Sequence, residues 1–202
     1  MIKLVIFDIW NTLAYNPIRI KDEILNLLPL SPDYVQSKLK DLNLGKISDE
    51  TFFSQLTDNK KIIDTLLIKW KKINKEVRVF EEVNDVLNEL RKYKKLALLS
   101  NSTSNTLDVL KEKNLFNFFD KIYLSCDYSI TKPNIDFFKI ITKDFNLNPR
   151  ECMMVGDRVD VDLVPAKELG FITVLVDREN NKEKSISDFK VNDLRQILSI
   201  IK

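Results

Sequence analysis

The sequence predicts an α/β fold: a three-layer, doubly wound parallel sheet with a helical lobe inserted after the first strand. Three observations carry that expectation. Short apolar runs recur along the chain, and several of them end in a small or acidic residue. Segments of helical periodicity separate those runs, as a parallel sheet with helices on both faces requires. Residues 15–78 have a different texture, with apolar side chains at helical spacing only. A chain of 202 residues with 44% hydrophobic content is large enough for one sizeable core and an accessory lobe.

Taken in order, KLVIFD (3–8) is a short buried-type strand that ends at Asp8. In the lobe, Ile20, Ile24, Leu27 and Leu28 share one helical face, and Ile62, Ile63, Leu66, Leu67 and Trp70 share another. Ser31-Pro32 and Ser48-Asp49 read as helix starts, because a side-chain oxygen there can accept from a free backbone N–H. Phe52, Phe53 and Trp70 are expected in the core of the lobe. KLALLS (95–100), KIYLS (121–125), CMMVGD (152–157) and FITVLVD (171–177) repeat the first strand's pattern, with helices expected over 103–113, 134–145 and 160–169. The chain has three glycines. Gly45 and Gly170 each follow a helical pattern and suit left-handed caps, whereas Gly156 stands at a strand end where the backbone would approach a ligand closely. The expected division is a core of residues 1–14 and 79–202 and a lobe of residues 15–78, joined by two short, hinge-like crossings.

Composition removes several function classes. A net charge of +2 gives no strong pull toward nucleic acid. The apolar run 2–7 is too short to span a bilayer and stops at Asp8. No secretory leader is visible, so a cytoplasmic protein with Cys126 and Cys152 as free thiols is expected. Histidine is absent, which excludes Ser/His and Cys/His catalysis and disfavours a zinc site. Chemistry is left to carboxylates, lysine, hydroxyls and backbone amides. The expected partner is a small-molecule substrate, with neither nucleic acid nor membrane, bound by a monomer or homodimer.

A doubly wound sheet gathers its strand ends at one edge. The ends here bring Asp8, then Ser100-Asn101, then Gly156-Asp157 with Asp160 and Asp162 beyond, while Thr131-Lys132-Pro133 follows the third strand and is expected to open a helix. Carboxylates, a hydroxyl, a lysine and helix amino termini are what a phosphate with a hard divalent cation requires.

These motifs resemble those of the haloacid dehalogenase-like hydrolases, in the branch with a helical cap after the first motif. FDIWNTL is similar to the first motif, LLSNST to the second, LSCDYSITKPNIDFF to the third and VGDRVDVDLVPAKELGF to the fourth, in order over the whole chain. The resemblance implies a Rossmann-like core with Asp8 as nucleophile, Ser100 as phosphate-binding hydroxyl with Asn101 beside it, and Lys132 as the charge-balancing lysine. It implies Mg²⁺ held by Asp8, Asp157 and the backbone carbonyl of Trp10, with Asp162 behind them; Asp160 is expected only to start a helix.

One position departs from the pattern. Phosphatases of this kind usually carry an acid two residues after the nucleophile, and here that residue is Trp10. An aromatic at this place resembles the dehalogenases, which also use an arginine from the lobe; the one arginine between residues 15 and 77 is Arg19. Trp10, Asn101 and Arg19 are therefore the expected substrate contacts. The retained Asp157 and Asp162 weigh toward a Mg²⁺-dependent phosphatase acting on small phosphate esters or on aryl and acyl phosphates. The alternatives are a 2-haloacid dehalogenase and a phosphate-binding protein of weak activity.

Overall fold

A computed structural model of the protein describes residues 1–180 and 186–201. The first strand, β1 (Leu4–Phe7), runs into a tight loop, and β2 (Ala14–Tyr15) leads to the lobe. The lobe comprises α1 (Ile20–Leu27), α2 (Pro32–Asn43), α3 (Asp49–Ser54) and α4 (Lys60–Lys75). The chain returns through β3 (Arg78–Val79), which pairs antiparallel with β2. It continues as α5 (Val83–Leu90), β4 (Lys95–Ser100), α6 (Asn105–Glu112), β5 (Lys121–Leu124) and α7 (Ser125–Tyr128). After α8 (Ile135–Phe145) come β6 (Cys152–Gly156), a π-turn at Val159–Leu163, and α9 (Val164–Leu169). The last elements are β7 (Ile172–Val176), β8 (Phe189–Val191) and α10 (Ile197–Ile200).

Among the described residues six strands form one sheet in the order β5-β4-β1-β6-β7-β8, and every pairing is parallel. Alternation along each strand divides the core between the two faces. Val5, Phe7, Leu96, Leu98, Met153 and Val155 pack on one side, and Leu4, Ile6, Ala97, Leu99, Cys152 and Met154 on the other. The chain winds outward from β1 through β4 and β5, then returns to place β6 on β1's other side. The strand order thus reverses between β1 and β6, where an open α/β sheet forms its ligand crevice.

The lobe has its own apolar cluster, including Ile24, Val35, Phe52, Phe53 and Leu66, all fully buried. Ser31 and Ser48 cap α2 and α3, each accepting from the backbone N–H three residues on. Phe52 and Phe53 lie in this core as expected, but Trp70 is half-buried: its ring packs on the cluster while its Nε1 donates to Asp49 at 2.9 Å. An indole carries a polar N–H that needs a partner, so it settles at the edge of a core.

Two further points differ from the sequence expectation. Gly156 makes its close approach to a side chain: an added Cβ would lie 2.5 Å from Oδ2 of Asp162. The helix after Lys132 begins at Ile135, capped by Asn134, leaving Lys132 in a loop with a cis bond to Pro133. Gly45 and Gly170 adopt positive φ, as expected of helix caps. Cys126 and Cys152 are free thiols. No described helix is long and apolar enough to cross a membrane.

Candidate active site

Asp8 follows β1 directly, and its backbone N–H still donates to Val155 on β6 at 2.9 Å. The chain then folds back at once. Leu13 and Ala14 both donate to the Ile9 carbonyl, and Asn11 takes a left-handed φ of 57° that asparagine tolerates well. This turn fixes Trp10 two residues past Asp8, half-buried against the core.

Lys132 arrives from the loop after β5. Its Nζ donates to Oδ1 of Asp8 at 2.6 Å, to Oδ1 of Asp162 at 2.6 Å and to the Leu99 carbonyl at 3.0 Å. All three donor positions are therefore satisfied in a site where the lysine side chain is 2% exposed. Asn101 holds the lysine's backbone from both sides. Its Oδ1 accepts from the Lys132 N–H at 2.7 Å, and its Nδ2 donates to the Lys132 carbonyl at 2.8 Å. Asp162 is anchored in turn by the Arg158 N–H on its second oxygen. Asp160 stays exposed and pairs with the Arg158 guanidinium.

Asp8, Asp157 and Asp162 each offer a carboxylate oxygen within 4.8 Å of the others. Burial, the largest influence, pushes the Asp8 carboxyl up to about 7; Lys132 pulls against it, while Asp162 and Asp157 add to the rise. For Lys132 burial opposes the charge, but Asp162 and Asp8 outweigh it and hold the ammonium above its ordinary value. One cation thus balances a crowd of carboxylates, two of which it touches. Such a set of hard oxygen donors suits Mg²⁺.

Ser100, at the end of β4 beside this cluster, is fully buried, and its hydroxyl has no hydrogen-bond partner among the described residues. A buried orphan hydroxyl is costly unless a ligand completes it. Arg19 lies on the lobe, largely exposed and paired with Asp22, and lines a cavity together with Trp10 and Asn101.

Nothing in the sequence pattern points to Arg178. Its Nη2 donates to the Thr12 carbonyl in the loop after Asp8 at 2.5 Å, its Nη1 to the buried Glu82 at 2.8 Å, and its guanidinium stacks 3.3 Å over Phe80. Thr12 and Arg178 are 166 positions apart, so no local spacing could signal this brace.

Comparison with known proteins bears on the same residues. The family model described as haloacid dehalogenase-like hydrolase matches residues 5–176. The chain is 29% identical over 225 aligned residues to a glyceraldehyde 3-phosphate phosphatase of Methanocaldococcus jannaschii, covering 100% of this chain and 98% of the relative. Among solved structures, a HAD phosphatase from Thermococcus onnurineus superimposes with a TM-score of 0.73 at 23% identity, covering 99% of this chain and 98% of that one. A 2-haloacid dehalogenase from Pseudomonas syringae pv. Tomato DC3000 gives 0.77 at 18% identity, over 100% and 98%. At such identities the two structures share the fold, whatever their reactions.

Proposed function

The chain belongs to the haloacid dehalogenase-like hydrolases, and from that premise we propose that it is a Mg²⁺-dependent phosphatase of small phosphate esters, with Asp8 as nucleophile. The observation that carries this reading is the cluster of buried Asp8, Lys132 and Asp162 with half-buried Asp157 at the sheet's switch point, next to the orphan hydroxyl of Ser100. The full-length relative with a phosphatase name supports the same choice.

In this reading Asp8 attacks phosphorus and the alcohol leaves, giving an aspartyl-phosphate that water then cleaves. Lys132 keeps Asp8 oriented and offsets the charge of its neighbours. Ser100 donates to a phosphate oxygen, which gives its hydroxyl the partner it lacks. Asn101 acts one step back, by fixing the loop from which Lys132 extends. Asp8, Asp157 and the Trp10 carbonyl would hold Mg²⁺, with Asp162 behind them, and the bound ion would neutralise phosphate charge. The four-helix lobe of residues 15–78 serves as a lid that excludes water and selects the alcohol.

Trp10 favours one second reading, a dehalogenase, because halide leaves carbon without needing a proton. A single comparison separates the two. Phosphate release from p-nitrophenyl phosphate that requires Mg²⁺ and stops in EDTA supports the phosphatase. Chloride release from 2-chloropropionate in EDTA, without phosphate release, would replace it.

A further inference from the structure

Two cavities open between the lobe and the core, one on each side of α2. The larger, about 420 Å³, is lined by Trp10, Asn101 and Asn105 from the core and by Arg19, Lys21 and Trp70 from the lobe. The smaller, about 280 Å³, includes Lys40, Lys132 and Arg158. Among the described residues, no carboxylate lines either one. Cations and anions are nearly balanced over the whole chain, at 32 and 30, so the imbalance is local.

Across the nucleophile loop the sign reverses. The cavity there is lined by Asp157, Asp177 and Glu179, and among the described residues Arg178 is its one cation. Lys21 is half-buried and makes no ion pair among the described residues. A half-buried cation without a counter-ion, in a cavity walled by amides and indoles, is completed by an anionic ligand.

We infer that the substrate is a phosphate ester whose alcohol part carries its own carboxylate, seated in the larger cavity beside Lys21 and Arg19. This deepens the phosphatase reading and rests on it. The scissile phosphate goes to Asp8 and Ser100, and the carboxylate to the lobe-side cations. The volume falls in the range of small-molecule sites, about 300–1,000 Å³. The reaction that supplies such a substrate is the phosphorylation of a hydroxy acid.

Two esters with one carbon skeleton test the inference: 3-phosphoglycerate, with the carboxylate, and glycerol 3-phosphate, without it. With Mg²⁺ the wild-type enzyme should show kcat/KM about tenfold or more higher for 3-phosphoglycerate, the scale of one charge-assisted hydrogen bond. Lys21→Met should collapse that ratio. Binding is read separately in Asp8→Asn, because the chain's two tryptophans, Trp10 and Trp70, both line the larger cavity. Titration of their fluorescence should give the tighter affinity for 3-phosphoglycerate. Equal kcat/KM and equal affinity for the two esters would overturn the inference while leaving the phosphatase standing. If neither ester nor p-nitrophenyl phosphate were hydrolysed yet 3-phosphoglycerate still bound more tightly, the phosphatase reading would fail and the carboxylate site would survive.

Discussion

At Trp10 the nucleophile loop presents an indole where phosphoryl transfer profits from a carboxyl group. General acid–base assistance is worth about 10²–10⁴ in rate, so its absence should appear in the choice of leaving group. Trp10→Asp should raise turnover of alkyl phosphates by at least about tenfold relative to p-nitrophenyl phosphate, whose phenolate leaves unaided. Removing a large buried side chain costs about 3–5 kcal/mol. Trp10 is half-buried, which sets its cost at the lower end, and a thermal melt must precede the kinetics. Equal changes on both substrates would show that acid catalysis is not what the loop lacks. Lys132 is more deeply committed. Lys132→Met strands Asp8 and Asp162 without their cation, a loss of about 3–5 kcal/mol for a broken buried pair, seen as a lower Tm together with lost activity. Proton and metal also compete for Asp8. Because burial lifts its carboxyl to about 7, the group is largely protonated at pH 6 and ionised at pH 8. Calorimetry should therefore find Mg²⁺ binding about tenfold weaker at pH 6 than at pH 8; affinity independent of pH would mean that Asp8 is no ligand. The identity of these residues was legible in the sequence because Asp8 follows a strand end directly, Lys132 and Asp162 lie in the segments after later strands, and strand ends converge. What they do to one another was not. Asn101 reads as a substrate contact from position alone, yet both polar atoms of its amide hold the Lys132 backbone.

Among the elements, the antiparallel pairing of β2 and β3 is what would make the lobe separable. Ala14 faces Val79 and Tyr15 faces Arg78, so the two crossings leave the core side by side. Replacing residues 16–77 with an Asn-Gly turn should leave a folded sheet domain, since two residues suffice to close such a ladder. Circular dichroism and a cooperative melt would check this, and an unfolded product would show that lobe and core form one folding unit. The lobe is also tied down away from the hinge. Ser125 donates to the Asn43 carbonyl at 2.5 Å, and Asn105 to Asp49 at 2.7 Å. Gly45 lies against the core so closely that a Cβ would stand 2.4 Å from the Cys126 carbonyl oxygen, at a φ of 69°. Gly45→Ala should therefore loosen the docked lobe, with altered tryptophan fluorescence and a lower Tm. The central parallel strands were readable as short unbroken apolar runs, α1 and α4 by the helical spacing of their apolar residues, and α2 and α3 by their serine caps. β2, β3 and β8 are two or three residues long, too short for any period to register. The π-turn at Val159–Leu163 is likewise invisible in a helical pattern, although it is what turns Asp162 inward to Lys132 and leaves Asp160 in solvent.

Over the whole molecule, the order of strands determines the chemistry. β1 and β6 are neighbours because the winding reverses between them, and that reversal sets Asp8 beside Asp157 although they are far apart in the chain. Arg178, reaching from beyond β7 to Thr12 and Glu82, braces the nucleophile loop against the rest of the core. The lobe closes the edge from above with a positively charged lining, while the carboxylates cluster beneath it. The central claim is that Asp8 becomes covalently phosphorylated in a site that lacks an acid–base partner to hasten the second step. Rapid mixing of the enzyme with p-nitrophenyl phosphate and Mg²⁺, acid quenching, and peptide mass spectrometry test it most directly. The account predicts a burst of nitrophenol, stoichiometric with enzyme, and a phosphoryl mass on the peptide that carries Asp8, released by hydroxylamine and absent from Asp8→Asn. An enzyme that turns the ester over while its Asp8 peptide stays unmodified, or an Asp8→Asn variant that keeps near-native activity, would contradict it.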